Sequence, residues 1–318
     1  MKTESEWLYG PRYVGVPTFM RVPLVGDPAE VDLALVGVPI DNAVTARPGA
    51  RHGPREIRNQ SSQMRAIHHV TRTNPYELCR VGDLGDVPLE NVYDLEATVR
   101  DVTRFYRRVH EAGAVPLSAG GDHSITYPIF RAIAAERPLG LVHVDAHCDT
   151  WDEILGSPLT HGAPFRRAVE DGLLDPERTI QIGIRGAQND TESWDYSLEH
   201  GMRVVFMEEF RRLGVEAVVA EARRMVGAGP TYVSFDVDGL DPVYAPGTGT
   251  PEIGGLSTFE AQELLRGLRG LDLVGGDVVE VSPPFDPSGN TALVGATLMY
   301  ELLCLLADAF VARAAGSP

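Results

Sequence analysis

Three short stretches concentrate the side chains that hold metals. Gly120-Gly121-Asp122-His123 follows AVPLSA, Asp145-Ala146-His147-Cys148-Asp149 follows LVHV, and Asp236-Val237-Asp238-Gly239-Leu240-Asp241 follows TYVSF. Side chains alternate along an extended chain, so Asp145, His147 and Asp149 project to one side. Groups packed this closely repel one another or stay unsatisfied unless a cation sits among them. Taken singly, GGDH also fits a plain turn, and DVDGLD an acidic turn or a Ca²⁺ loop. Together, at three strand ends, they point to a metal centre. The candidate ligands are His123, Asp145, His147, Asp149, Asp236 and Asp238, about the supply for two divalent ions that share bridging carboxylates. Oxygen-rich ligation with a few imidazoles suits Mn²⁺, with Zn²⁺, Co²⁺ and Ni²⁺ left open.

These stretches need a scaffold that gathers strand ends. Apolar, β-rich runs recur at 31–38, 80–82, 114–118, 139–144, 179–184, 203–206, 231–235 and 274–281. Helical patterns fall between them at 95–111, 127–135, 164–171, 215–226 and 258–268. LVHV and YVSF are nearly all apolar, as strands are when both faces are covered. The alternation predicts an α/β fold with a mostly parallel sheet flanked by helices. In such sheets ligands gather at the carboxyl ends of the strands. Glu280 ends the apolar run VGGDVVEV, which points it from the sheet end toward the same place. The long apolar stretch 292–310 carries Glu301 and Asp308 at near-helical spacing and reads as a buried terminal helix rather than a membrane span. No repeat or dividing linker is visible. Residues 1–318 therefore read as one domain, with 1–30 as an N-terminal arm across the surface.

The chain carries 28 Lys and Arg against 45 Asp and Glu, a formal net charge of −17. That field repels nucleic acid and anionic membrane, so neither is expected as a partner. Three scattered cysteines form no disulfide framework and suit a reducing compartment. The opening MKTESEWLYG lacks the apolar segment of a secretory signal, and a cytoplasmic location is expected. Cys148 is out of phase with its acidic neighbours and is expected to pack. His143 is in phase with Asp145 and reads as a satisfied core histidine, with support of the metal site as the alternative. Arg185 is expected to brace an acidic loop or a subunit contact.

The motifs GGDH, DAHCDT, THGAPF, SFDVDGLDP, APGTGTPEIGG and EVSPPFD resemble those of the ureohydrolase (arginase and agmatinase) family, in that family's order, from about Pro17 to Leu305. The stretches PTFMR, MEEF and GLDLVG are similar to its bacterial guanidinobutyrase and guanidinopropionase branch. The resemblance implies a three-layer α/β/α sandwich with about eight strands, two Mn²⁺ per subunit, and a homo-trimer or hexamer. It implies that His123, Asp145, Asp149 and Asp236 hold one ion, and His147, Asp145, Asp236 and Asp238 the other. The implied reaction is hydrolysis of a guanidino compound to urea and an amine. Asp149 would take a proton from the attacking water, Glu280 would anchor the guanidinium, and His161 would carry a proton to the leaving nitrogen. Thr250 is expected to orient the site.

Trp151 and Ile154 follow the metal loop and are expected to wall the substrate pocket. Arginases and several guanidino-acid hydrolases carry Asn where this chain has Trp151, and Trp offers only an N–H and an apolar face. A second departure is the turn 41–45, DNAVT, where relatives carry glycine. The expected substrate is a linear guanidino acid such as 4-guanidinobutanoate. Agmatine comes next, then 3-guanidinopropanoate or a bulkier guanidino metabolite. Rivals from other classes are a single-zinc deacetylase and a non-catalytic binding protein on the same fold. The full set of ligands argues against both.

Overall fold

The structure, a computed structural model, describes residues 10–316. Its centre is a sheet of eight parallel strands: β1 Leu33–Val38, β2 Val81–Asp86, β3 Val115–Gly120, β4 Leu139–Val144, β5 Leu174–Ile184, β6 Arg203–Phe206, β7 Thr231–Asp236 and β8 Leu273–Val279. The spatial order is β2-β1-β3-β8-β7-β4-β5-β6. Each of the eight apolar runs in the sequence is a strand.

Alternation along the strands builds two cores. Leu33, Leu35, Leu117 and Val144 face one side, where helices Gly53–Ser61, Val215–Val226, Thr258–Gly267 and Asn290–Ala314 pack. Ala34, Val36, Val38 and Leu141 face the other, under helices Leu95–Glu111, Thr126–Ile133 and Pro164–Glu170. The result is the expected three-layer α/β/α sandwich. Helix Asn290–Ala314 is long and apolar enough to cross a membrane by composition, but 72% of its most apolar window is buried inside the protein. Its buried Glu301 is held by His68 Nε2 at 2.9 Å and by Arg266.

Residues 1–9 of the expected arm lie outside the described residues. The remainder is only partly a surface strap. Tyr13 is exposed, but Phe19 and Met20 are fully buried. Their backbone N–H groups donate to Asp83 Oδ2 at 2.9 Å and Ser61 Oγ at 2.8 Å. Two large apolar side chains in a row cannot lie against water cheaply, so this part of the arm joins the core.

The topology positions the chemistry. After β3 the chain crosses to β4 and leaves a gap that β7 and β8 later fill. The carboxyl ends of β3, β8, β7 and β4 are thereby adjacent. These four ends carry His123, Glu280, Asp236 and Asp145, which the sequence separates widely.

Candidate metal centre

Two groups of donors converge at these strand ends. One is His123, His143, Asp145 and Asp149; the other is Asp145, His147 and Asp238, with Asp145 common to both. All are buried except His147, which is half-buried. Asp236 joins the first group, with Oδ2 3.3 Å from His123 Nδ1. The six expected ligands therefore lie together.

His123 tests whether cations fit. Ser234 Oγ donates to Asp277 Oδ1 at 2.6 Å. Its oxygen is then free to accept from His123 Nε2, 2.7 Å away. In the neutral ring this relay fixes the proton on Nε2 and leaves a lone pair on Nδ1. Without a cation, burial opposes a second proton there, but Asp145, Asp149 and Asp236 outweigh it and hold the imidazole well above its ordinary range. Nδ1 is buried and has no hydrogen-bond partner, although Asp145 and Asp149 oxygens stand 3.1 and 3.0 Å from it. A lone pair facing carboxylate oxygens is repulsive, and a shared divalent cation removes the conflict. Each carboxylate taken from water costs several kcal/mol. A domain has about 5–15 kcal/mol of stability in total, so four such groups need compensation.

The carboxylates register the crowding. Burial and the Asp238 and Asp145 charges hold Asp236 well above the usual carboxylate range. Burial and then Asp145 lift Asp238 to about 6, against the pull of His147. Asp145 moves the other way: burial would raise it, but His143, His123 and His147 outweigh burial and hold it well below. A set that cannot all ionise by itself is suited to divalent ions.

Neighbouring groups aim the ligands. His143 Nε2 lies 2.8 Å from Asp145 Oδ2. The Gln181 amide donates to the Cys148 carbonyl at 2.6 Å, which turns its NH₂ toward His143 Nδ1 at 3.3 Å. His143 must then carry its proton on Nε2 and donate it to Asp145. It is a buried, satisfied histidine, and it also orients Asp145, a carboxylate common to both donor groups. Thr250 Oγ1 donates to Asp238 Oδ2 at 3.1 Å. Arg185 braces the acidic loop by donating to the carbonyls of Asp238 at 2.6 Å and Leu240 at 3.1 Å. Cys148 is fully buried beside Ile184 and Val204.

Glu280 and His161 meet at the edge of this centre. Glu280 adopts φ 62°, and Asp149 φ 54°, a left-handed backbone that costs a residue with a Cβ energy and is typical of functional sites. Glu280 Oε1 accepts from the His123 N–H at 3.0 Å and from His161 Nδ1 at 2.9 Å. Oε2 is buried without a partner. Burial disfavours charge on His161, but Glu280 outweighs it and raises the imidazole to about 9. The Thr45 N–H, 3.1 Å from Nε2, opposes that rise because it needs a lone pair there.

Trp151 and Ile154 stand next to His161. A Cβ on Gly162 would lie 3.3 Å from Trp151 Cδ1 and 2.7 Å from Ile154 Cδ1, so a larger residue there would push both side chains aside. Both side chains are half-buried. Four contributors escaped the sequence reading: Asp122, Ser234, Asp277 and Thr45. Asp277 had a signal, a charged residue inside the apolar run of β8. It sits in register with Ser234. Asp122, inside GGDH, accepts from the Ala43 N–H at 3.1 Å and fixes the turn at 41–45.

Comparison with known proteins agrees with this geometry. Residues 31–305 match the Arginase family. Guanidinopropionase of Pseudomonas aeruginosa is 64% identical, with 94% of each chain covered. Guanidinobutyrase of the same organism is 50% identical over 93% of this chain and 94% of its own. The solved structure of proclavaminate amidino hydrolase from Streptomyces clavuligerus superposes with a TM-score of 0.91 at 40% identity, covering 94% of this chain and 100% of that one. The chain belongs to the arginase family, hydrolases that act on C–N bonds.

Proposed function

We propose that this protein hydrolyses a short ω-guanidino carboxylic acid to urea and the matching amino acid, with 3-guanidinopropanoate ahead of 4-guanidinobutanoate. The observation that carries the reading is Glu280 Oε2, a buried carboxylate oxygen with no partner beside a nest of metal-type ligands. A guanidinium presents paired N–H donors that match a carboxylate in geometry and charge. The 64% identity to guanidinopropionase supports the shorter acid over the four-carbon one.

His123, Asp145, Asp149 and Asp236 would hold one ion, and Asp145, His147, Asp236 and Asp238 the other. Two divalent ions, when bound, make water nucleophilic at neutral pH and stabilise the charge that develops on its attack. Mn²⁺ suits this oxygen-rich set. Glu280 holds the guanidinium. Asp149 takes the proton of the attacking water. His161 delivers a proton to the departing nitrogen from Nδ1, the atom that faces Glu280.

Arg47 supports an acid at the far end of the substrate. Its carbonyl and Glu280 Oε2 flank the Gly249 turn, 3.4 and 3.5 Å from where a Cβ would sit. Its guanidinium lies over the Phe285 ring at 4.0 Å, and among the described residues it forms no ion pair. A cation with no ion pair among the described residues, on a segment whose backbone borders Glu280 across Gly249, favours a carboxylate over the second cation of agmatine. The same reading includes a homo-trimer or hexamer working in the cytoplasm, where three unpaired buried cysteines would stay reduced.

The test is urea release with added Mn²⁺ from 3-guanidinopropanoate, 4-guanidinobutanoate, agmatine and arginine. The highest kcat/KM is expected on one of the two acids. A preference for agmatine would overturn the acid reading, and no urea from any of the four would overturn the reaction.

A further inference from the structure

We propose that the Thr45 hydroxyl is the port through which His161 exchanges protons with solvent. The inference rests on the reading of His161 as the group that protonates the departing amine.

His161 is 8% exposed, so its ring does not meet bulk water freely. Its two nitrogens face opposite ways. Nδ1 points inward to Glu280 Oε1 at 2.9 Å. Nε2 points outward, where Thr45 meets it with the backbone N–H at 3.1 Å and Oγ1 at 2.9 Å. Thr45 itself is exposed. One hydroxyl thus joins solvent to the outer nitrogen of a buried imidazole.

The turn that carries Thr45 is pinned on several sides. The Ala43 carbonyl accepts from the His161 N–H at 3.1 Å, and the Ala43 N–H donates to Asp122. Asp41 accepts from the Gly49 N–H at 2.7 Å and pairs with Arg51. The hydroxyl is therefore held at the imidazole by a loop fixed through its backbone.

Hydrogen-bond roles set the direction of flow. The Thr45 N–H can only donate, so the resting Nε2 of the metal-loaded enzyme is a lone pair and the ring proton sits on Nδ1. Nearby divalent cations favour this neutral ring over the imidazolium of the metal-free protein. As Nδ1–H passes its proton to the departing amine, Nε2 takes one from Oγ1–H, and Oγ1 takes one from water. One solvent proton has reached the amine and the ring stays neutral. Nε2–H now leaves the Thr45 N–H without an acceptor, which favours the return. The proton given up by the attacking water arrives at Nδ1, and Nε2–H goes out through Oγ1. The cycle closes with guanidinium and water converted to urea and ammonium, and no net proton gained or lost.

Thr45→Val removes the hydroxyl while keeping the shape and the backbone N–H, and Thr45→Ser restores the hydroxyl. The experiment measures proton exchange between the His161 ring and water by NMR on ¹⁵N-histidine-labelled protein loaded with diamagnetic Zn²⁺. It also measures steady-state turnover and metal content of the Mn²⁺ enzyme. Exchange is expected to slow about tenfold or more in Thr45→Val and to recover in Thr45→Ser. The kcat should fall about tenfold, part of the roughly 10²–10⁴-fold that proton transfer contributes, with KM and metal content unchanged and with recovery in added imidazole buffer. Unchanged exchange in Thr45→Val would overturn the proposal whatever the activity. Loss of metal or a changed KM in place of slower exchange would also overturn it, by making Thr45 structural. Slower exchange with normal kcat supports the port and counts instead against His161 as the amine's proton donor.

Discussion

His143 donates to Asp145 Oδ2 at 2.8 Å from two residues earlier in the chain, so one segment supplies both a central carboxylate and the imidazole that aims it. Asp145 is also the member common to both donor groups. Its orientation therefore governs both halves of the centre. Partners of this kind set metal affinity by about 10–100-fold. His143→Gln should weaken metal retention by that order, read by dialysis against a competing chelator, with the far-UV circular dichroism unchanged.

Glu280→Gln removes one charge and keeps an oxygen able to accept from the His123 N–H. Metal content should hold. A buried guanidinium facing a neutral amide loses about 3 kcal/mol or more, which lowers kcat/KM by roughly a hundredfold or more. His161 should lose the neighbour that raises it to about 9 and titrate lower. NMR titration of His161 checks the second outcome independently of turnover.

Arg47→Met tests the far end of the substrate. A hydrogen bond to a charged group contributes about 1.5–3 kcal/mol. KM for the guanidino acids should therefore rise roughly tenfold or more, with kcat little changed. Agmatine turnover should be unaffected or improved. Equal losses on acid and amine substrates would remove Arg47 from acid recognition.

The metal-free protein should lose stability as pH rises. Asp122 and Asp238 stand at about 6 in the folded chain, and Asp236 is also raised. An unfolded Asp titrates near about 3.9. Across that window the native state binds more protons than the unfolded one, so stability falls from about pH 4 to about pH 6. His161, raised to about 9, adds stability that is full below about 6.5 and fades through about 9. Asp145, held low, opposes the trend alone among these groups. Metal needs the deprotonated ligands, so it reverses the slope. The Tm gain on adding Mn²⁺ should be larger at about pH 7.5 than at about pH 5. A gain that shrinks with rising pH would contradict the charge assignment.

Much of this was legible in the sequence, and the exceptions have physical reasons. The central strands showed because strands covered on both faces read as plain apolar runs, whereas the edge strand β2, VGDLGD, showed only at its first residues. Helix Gly53–Ser61 did not, because GPREIRNQS has few apolar positions. Its buried Arg58 is held by Asp83 at 2.8 Å and Asp86 at 2.6 Å, partners that no local pattern announces. The metal ligands were legible because they cluster within five residues or fewer at each strand end. The Thr45–His161 contact was not, since it spans 116 positions and depends on a loop folding back. His143 was read for its burial. Its spacing from Asp145 also offered support of the metal site as the alternative, but not the proton position that Gln181 imposes on it.

The central claim is that these buried carboxylates and imidazoles coexist because two divalent cations lie among them. Elemental analysis of Mn²⁺-saturated protein, with urea release followed as a chelator strips the metal, tests it most directly. The account predicts two ions per chain and turnover that disappears on their removal and returns with them. One tightly held zinc per chain, or urea release indifferent to complete metal removal, would contradict it.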